Sequence, residues 1–98
     1  MPRFLDVDPR TLHLPPSLWS GAVPHKFTRQ LSQFGTSTVG MPAIEVHEDP
    51  DGRLMIMNGV TRATRVAKFR PGVLVRVEVI GAETRSVASY PTVADRLP

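Results

Sequence analysis

The residues best suited to chemistry form a polar, arginine-bearing group near the centre of the chain: Asn58, Gly59, Thr61, Arg62 and Arg65. Asn58 or Gly59 is placed to begin a helix, and the N–H groups of a first helical turn have no partner within the helix. These donors and the positive end of the helix dipole favour an anion, and the two arginines add full charges. The group therefore predicts an anion site, while the pattern alone specifies neither the anion nor a reaction.

A strand is predicted before this group and a helix after it. Leu54 and Ile56 alternate with methionines at the period of a strand. Val60, Ala63 and Ala67 then recur at helical spacing, with Asn-Gly as the break between the two patterns. On that helix Arg65 is predicted to lie on the outer face, so a plain solvated arginine is the alternative to a ligand contact.

A β-hairpin is predicted to lead into the site. Its strands cover 43–47 and 53–57, and Asp49-Pro50-Asp51-Gly52 between them has the order that a type I turn followed by a bulge prefers. Ile44 and Val46 are expected to face the core.

Three side chains of this hairpin are the candidates for catalysis, Glu45, His47 and Glu48, because a base or a metal ligand would have to be a carboxylate or an imidazole. Glu45 and His47 fall on the outward face of the strand, and turn chemistry accounts for the aspartates. We therefore predict no metal site and commit to no catalytic residue.

The remaining regular elements are predicted from spacing. Phe27, Leu31 and Phe34 share one face of a helix over 26–34, which Gly35 is placed to end. The loop 35–40 is either a flexible connector or a second phosphate cradle, and the connector is favoured because no lysine follows it.

Valines alternate strictly from Val73 to Val79, which predicts a strand with its valine row facing the core. The tail 81–98 is predicted to hold a weak extended stretch over 84–90. Thr92 and Asp95 in it resemble a helix-capping pair.

The first 24 residues are interpreted as a proline-rich arm, because the prolines disfavour regular structure. The arm contains a short strand-like piece within Phe4 to Leu12, which ends in an Asp-Pro turn. Trp19 is expected to hold this arm against the domain, with ligand stacking as the alternative. His13 and His25 are interpreted as surface residues.

Length and composition limit the class of protein. Ninety-eight residues with 41% hydrophobic residues predict one domain with one modest core, so a two-domain enzyme is excluded. The chain has no cysteine, which excludes disulfides, thiolate metal sites and cysteine nucleophiles. A net charge of +3 suits a phosphate-bearing partner without requiring one. No apolar run approaches the roughly 20 residues of a membrane helix, so no membrane partner and a cytoplasmic location are expected.

The segment 42–80 resembles the ParB-like and sulfiredoxin-like domains. The matching motifs are Met41-Pro42-Ala43-Ile44-Glu45-Val46, Asp51-Gly52, Met57-Asn58-Gly59, Arg62-Ala63 and Val73-Leu74-Val75-Arg76-Val77. The resemblance implies an α+β fold with a small mixed sheet packed against short helices. It also implies that Arg62 contacts phosphate, as the corresponding arginine does in both branches of the family.

Departures from the family pattern limit what can be carried over. ParB partition proteins have Gly-Glu-Arg-Arg where this chain has Gly59-Val60-Thr61-Arg62, so CTP hydrolysis is not carried over. Val60 stands where sulfiredoxins have their catalytic cysteine, and no other residue type supplies a comparable sulfur nucleophile. Sulfiredoxin activity is therefore excluded.

Three functions are left open by the sequence. The first is a non-catalytic module that binds the phosphate of a nucleotide, with or without magnesium, or of a nucleic acid such as DNA, through the central group. The second is a phosphotransferase or nuclease of the ParB-like class. The third is a protein-interaction accessory domain of a bacterial toxin or mobile-element system. A monomer and a homodimer are equally compatible with the sequence.

Overall fold

The chain folds as an α+β domain in which a four-stranded mixed sheet carries two helices. The computed structural model describes residues 2–98. The strands are β1 (Phe4–Val7), β2 (Ile44–Glu48), β3 (Leu54–Asn58) and β4 (Val75–Ala82), and the helices are α1 (Pro24–Phe34) and α2 (Val60–Phe69). One-turn 3₁₀ helices lie at Pro9–Thr11, Pro16–Leu18 and Ala94–Arg96. Among residues 2–98, neither α-helix has the length and apolar character needed to cross a membrane.

The sheet order is β1-β4-β2-β3. β2 and β3 form the predicted antiparallel hairpin, β2 and β4 are parallel, and β1 adds to β4 antiparallel. Each hairpin strand begins and ends one residue later than its sequence pattern indicates. β4 begins at Val75 rather than Val73 and continues to Ala82, and its register against β2 shifts between Val46 and His47.

The core lies between α2 and one face of the sheet. Ile44, Val46 and Ile56 are fully buried there, as expected from their alternation. Val60, Ala63, Val66 and Ala67 of α2 cover them. α1 lies against α2, where the rings of Phe27 and Phe69 stack with centroids 6.1 Å apart. α1 begins at Pro24, two residues before its predicted start, because proline is well suited to the first position of a helix.

The N-terminal arm contributes to the core, which the sequence did not indicate. Leu12 and Leu14 are 1% and 0% exposed. Between them His13 runs alongside β3, donating its N–H to Leu54 O and accepting from Ile56 N, both at 2.9 Å. The His13 ring is part-buried, with Nδ1 2.9 Å from Tyr90 O. The interpretation of His13 as a surface residue is therefore wrong, whereas His25 is exposed.

The tail packs on the hairpin turn without forming the extended strand predicted over 84–90. Val87 is buried, and its N–H donates to the Asp49 carboxylate at 2.9 Å, which holds the tail in a turn. The capping pair is present as predicted, since Thr92 N donates to Asp95 Oδ2 and Asp95 N donates to Thr92 Oγ1. The rings of Trp19 and Tyr90 pack edge to face with their centroids 5.3 Å apart, so Trp19 links the arm to the tail.

Candidate functional site

The start of α2 is open, as the central motif predicts. Gly59 occupies the N-cap position with φ 115°, and within residues 2–98 no side chain caps the helix. Asn58 is committed elsewhere, because its side-chain amide donates to Glu45 Oε1 at 3.1 Å. The N–H groups of the first turn, from Val60 to Arg62, therefore point out of the helix end with the positive end of its dipole.

Glycine is required at position 59 for two reasons. Its φ lies in the left-handed region that L side chains rarely adopt. A Cβ at this position would also lie 2.8 Å from Arg62 Nη2 and 3.2 Å from Ile44 Cγ1. Gly59 thus lets the Arg62 guanidinium lie directly against the backbone at the helix start.

An open cleft of about 370 Å³ lies in front of this helix start. The end of β3 and the first turn of α2 form its floor, α1 forms one wall, and the Pro15–Leu18 region of the arm forms another. The charged side chains among its lining residues are Lys26 and Arg62, and no carboxylate belongs to the part of its lining that the structure describes. Asn58, Gly59, Thr61 and Arg62 all line this cleft, and both of its charged lining side chains are positive.

Arg62 is half-buried beside the cleft. Its Nη2 donates to Ala43 O at 3.2 Å, while its buried Nε has no partner among residues 2–98. Burial lowers the pKa of Arg62, and the negative charge of Glu45 opposes that shift. A guanidinium with unused donors and reduced hydration gains more from an anion than a fully solvated one does.

Arg65 does not line the cleft. The predicted phosphate site is therefore corrected by leaving Arg65 out of it. The residue is 2% exposed, and Nη1 donates to the carbonyls of Gly35 at 3.2 Å and Ser37 at 2.9 Å. The prediction of an outer, solvated position is wrong as well. The prediction fails because the loop after α1 folds over this face of α2. The spacing of residues within α2 gives no sign of that contact and so indicates a face exposed to water.

Part of the loop 35–40 is held by local hydrogen bonds. The N–H groups of Gly35 and Ser37 donate to carbonyls at Leu31 and Phe34, and Val39 N donates to Ser37 Oγ. Arg65 donates to the carbonyls of Gly35 and Ser37, which fixes the loop against α2.

The three catalytic candidates do not converge. His47 Nδ1 lies 2.7 Å from Glu83 Oε2, and Glu48 pairs with Arg3 at 2.7 Å. The hydrogen bond and charge of Arg3 hold the pKa of Glu48 below its ordinary value. Glu45 is the one candidate beside the site, through its bond to Asn58. Residues 2–98 contain no group of three or more potential metal ligands placed to hold an ion.

Sequence reasoning missed the polar lining residues that α1 contributes, Lys26 and Gln30. They lie four residues apart and so share a helix face. Nothing local shows that this face turns toward the start of α2, since that depends on how α1 packs on α2. Trp19, the alternative stacking residue, is not among the lining residues of the cleft.

Gly59→Ala should lower the free energy of unfolding by about 1–3 kcal/mol, because alanine would be forced into a left-handed conformation. It should also remove anion binding, because the added Cβ displaces the Arg62 guanidinium. Urea unfolding and a phosphate titration measure the two effects. Gly72→Ala is the matched control: Gly72 has φ 87° with open space around its Cβ position, so it should lose stability and keep binding.

The site is thus an electropositive cleft built from a helix start, Arg62 and Lys26. Among the three candidate bases, Glu45 is the one that contacts a residue of this cleft, through its hydrogen bond with Asn58. Comparisons with protein-family models, with curated proteins and with solved structures found no match for this chain.

Proposed function

We propose that this domain is a non-catalytic binding module that holds a phosphate group of a nucleotide or nucleic acid at the start of α2. The observation that carries the proposal is the uncapped α2 terminus, which opens into a cleft whose charged lining groups are Lys26 and Arg62. The ParB-like relationship is part of the proposal, because that family also places a glycine and an arginine at a phosphate-binding helix start.

Each component favours a phosphate by a different mechanism. Free N–H groups of the first turn donate directly to phosphate oxygens, and the helix dipole adds about 0.3–1 kcal/mol. A charge-assisted hydrogen bond from Arg62 contributes about 1.5–3 kcal/mol. Lys26 of α1 lines the same cleft and would neutralise a second oxygen. The dipole and Arg62 terms together give about 2–4 kcal/mol, which corresponds to a dissociation constant on the order of millimolar or weaker before the N–H groups and Lys26 are added.

A bound nucleotide would also find apolar surface beside the phosphate position. Pro15, Leu18 and Met57 line the same cleft, and Met57 is 44% exposed. This surface suits a base or sugar, since aromatic rings and thioethers pack favourably. Inorganic phosphate would leave that surface uncovered and should bind more weakly.

The test is calorimetric titration of the full chain with CTP, ATP and a short single-stranded DNA, with and without magnesium. Lys26→Ala and Arg62→Ala should each weaken binding by about tenfold or more, the equivalent of roughly 1.4 kcal/mol. Arg62→Lys should restore part of the loss, because it keeps the charge without the guanidinium geometry. The preferred ligand identifies the natural class.

Arg85→Ala is the control for charge alone, because Arg85 is exposed in the tail and is not a lining residue of the cleft. It should change the affinity less than twofold. Equal losses in Arg85→Ala and Lys26→Ala would contradict a localised site. No binding of any of the three ligands by the wild type would contradict the proposal and favour the protein-interaction hypothesis.

A further inference from the structure

A second cavity, of about 480 Å³, lies between the end of α1, the 35–41 loop and α2. We call it the Phe34 cavity. Most of its wall is apolar, formed by Phe34, Val39, Met41 and Pro42, and Arg65 lies at its base. Arg62 and Gln30 line both this cavity and the phosphate cleft, so the two adjoin without sharing the α2 start.

Arg65 is a buried cation without an acidic partner. It is 2% exposed, and no ion pair in residues 2–98 includes it. Burial and the neighbouring charge of Arg62 both lower its pKa. A buried charge that lacks a counter-charge is costly, and two adjacent cations increase that cost. An anion bound in the cavity would remove it.

One edge of the Arg65 guanidinium lacks an oxygen acceptor. Nη1 is saturated by the carbonyls of Gly35 and Ser37, but Nε has no partner and Nη2 reaches only the Met41 sulfur at 3.4 Å. A thioether is a weak acceptor. The Nε–Nη2 edge is one of the two-donor faces that bind a carboxylate through parallel hydrogen bonds.

The other unpartnered atoms belong to the same cavity. Within residues 2–98, the buried side-chain nitrogen and oxygen atoms without a hydrogen bond are Arg62 Nε, Arg65 Nε and Gln30 Oε1, and all three residues line the Phe34 cavity. Buried polar atoms are nearly always paired in folded proteins. The two guanidinium Nε atoms are donors that lack an acceptor, which an anion would supply, whereas Gln30 Oε1 is an acceptor that an anion would leave unpaired.

We propose that the Phe34 cavity binds a small amphipathic carboxylate. The carboxylate takes the Nε–Nη2 edge of Arg65 in place of the Met41 sulfur, and its apolar body lies between Phe34 and Val39. Met41 can yield because its side chain is unbranched and flexible. A monoanion on an apolar body suits this cavity better than a phosphate, because its mainly apolar wall offers few donors to a dianion.

Phe34 helps to hold Arg65 in position in the absence of a ligand. Its ring lies 5.5 Å from the Arg65 guanidinium carbon in a cation–π contact, yet the residue is 50% exposed. The ring therefore holds the guanidinium in place while offering its outer surface to a ligand. Val39, which is 91% exposed, stands at the mouth of the cavity.

The test is an NMR titration of the full chain with octanoate and 4-phenylbutyrate, compared with the neutral isosteres 1-octanol and 4-phenylbutan-1-ol. Both carboxylates should bind with dissociation constants below about 1 mM, a value that ligands of this size can reach. They should shift the signals of the Met41 methyl group and the Phe34 ring. The alcohols should bind at least tenfold more weakly.

Variants of Val39, at the mouth of the cavity, separate an effect on ligand binding from an effect on the stability of the fold. Val39→Asp should weaken carboxylate binding about tenfold, whereas Val39→Lys should preserve it, and both should melt as the wild type does because Val39 is exposed. Arg65→Met should abolish the preference for carboxylate over alcohol. Should that variant not fold, the pair at position 39 decides the question.

Three outcomes would overturn the inference. The alcohols could bind as tightly as the carboxylates, Val39→Asp and Val39→Lys could bind a carboxylate equally well, or neither carboxylate could bind. Lys26→Ala distinguishes the two sites, because Lys26 lines the phosphate cleft and does not line the Phe34 cavity. It should leave octanoate binding unchanged while it weakens nucleotide binding, so each proposal can fail without the other.

Discussion

Asp49→Asn should lower the melting temperature by more than about 5 °C, although Asp49 belongs to a hairpin turn at the surface. Its side chain is fully buried and accepts three backbone N–H bonds: from Arg53 at 2.8 Å, and from Asp51 and Val87 at 2.9 Å each. Both carboxylate oxygens act as acceptors. Asparagine has nearly the same shape, but its NH₂ group would face a backbone N–H and leave that donor unpaired.

The same three bonds make stability depend on pH. Burial raises the pKa of Asp49, but the N–H groups of Val87, Arg53 and Asp51 outweigh it and leave the pKa below its ordinary value. A lowered pKa in the folded state means that the contribution is fully present above about pH 4, the ordinary aspartate value, and is lost as the pH falls further. Thermal melts should show that the melting temperature falls less between pH 7 and pH 3 for Asp49→Asn than for the wild type.

Asp51→Asn is the control for this prediction. Asp51 lies in the same turn, but it is exposed and pairs only with Arg53 at the surface. A surface pair of this kind contributes about 0–1 kcal/mol. Equal melting temperatures for the two variants would show that the buried carboxylate does not hold the tail.

Leu14→Ala should lower the free energy of unfolding by about 2–5 kcal/mol, the usual cost of removing a fully buried leucine side chain. Leu14 is 0% exposed, and its N–H donates to Pro91 O at 2.8 Å, so it joins the arm to the tail inside the core. Urea unfolding at pH 7 gives the value directly. Leu74→Ala makes the same change at a side chain that is 56% exposed and should cost less than about 0.5 kcal/mol. Similar losses at the two positions would contradict the placement of the arm in the core.

The elements predicted correctly are those with strong local patterns. The β2–β3 hairpin follows from alternation on both sides of an Asp-Pro-Asp-Gly turn, and α2 follows from apolar spacing after Asn58-Gly59. Gly59 and Arg62 were identified because a helix start and its first turn are local features. The errors occur where a distant segment changes the environment of a residue.

Arg65 shows why such errors arise. Its position on α2 faces away from the sheet, so the helix pattern predicts solvent there, yet the 35–41 loop covers it and receives its hydrogen bonds. His13 and Val87 follow the same logic, since segments far away in the sequence cover His13 in part and Val87 completely. Lys26 entered the site because α1 packs on α2, and no periodicity in α1 specifies that contact.

The pairing of β1 with β4 determines how the chain can reach its folded state. Phe4 lies opposite Glu78, so β1 must meet a strand far along the sequence before the sheet is complete. Leu12 O also accepts a hydrogen bond from Val93 N, which joins the arm to the tail. The hairpin and α2 can form early from neighbouring residues, whereas β4 has an unpaired edge until the first strand docks. Proteins dominated by such non-local pairing fold in milliseconds to seconds, well behind helical domains of similar size. During synthesis, β1 cannot pair until the residues of β4, Val75–Ala82, have emerged.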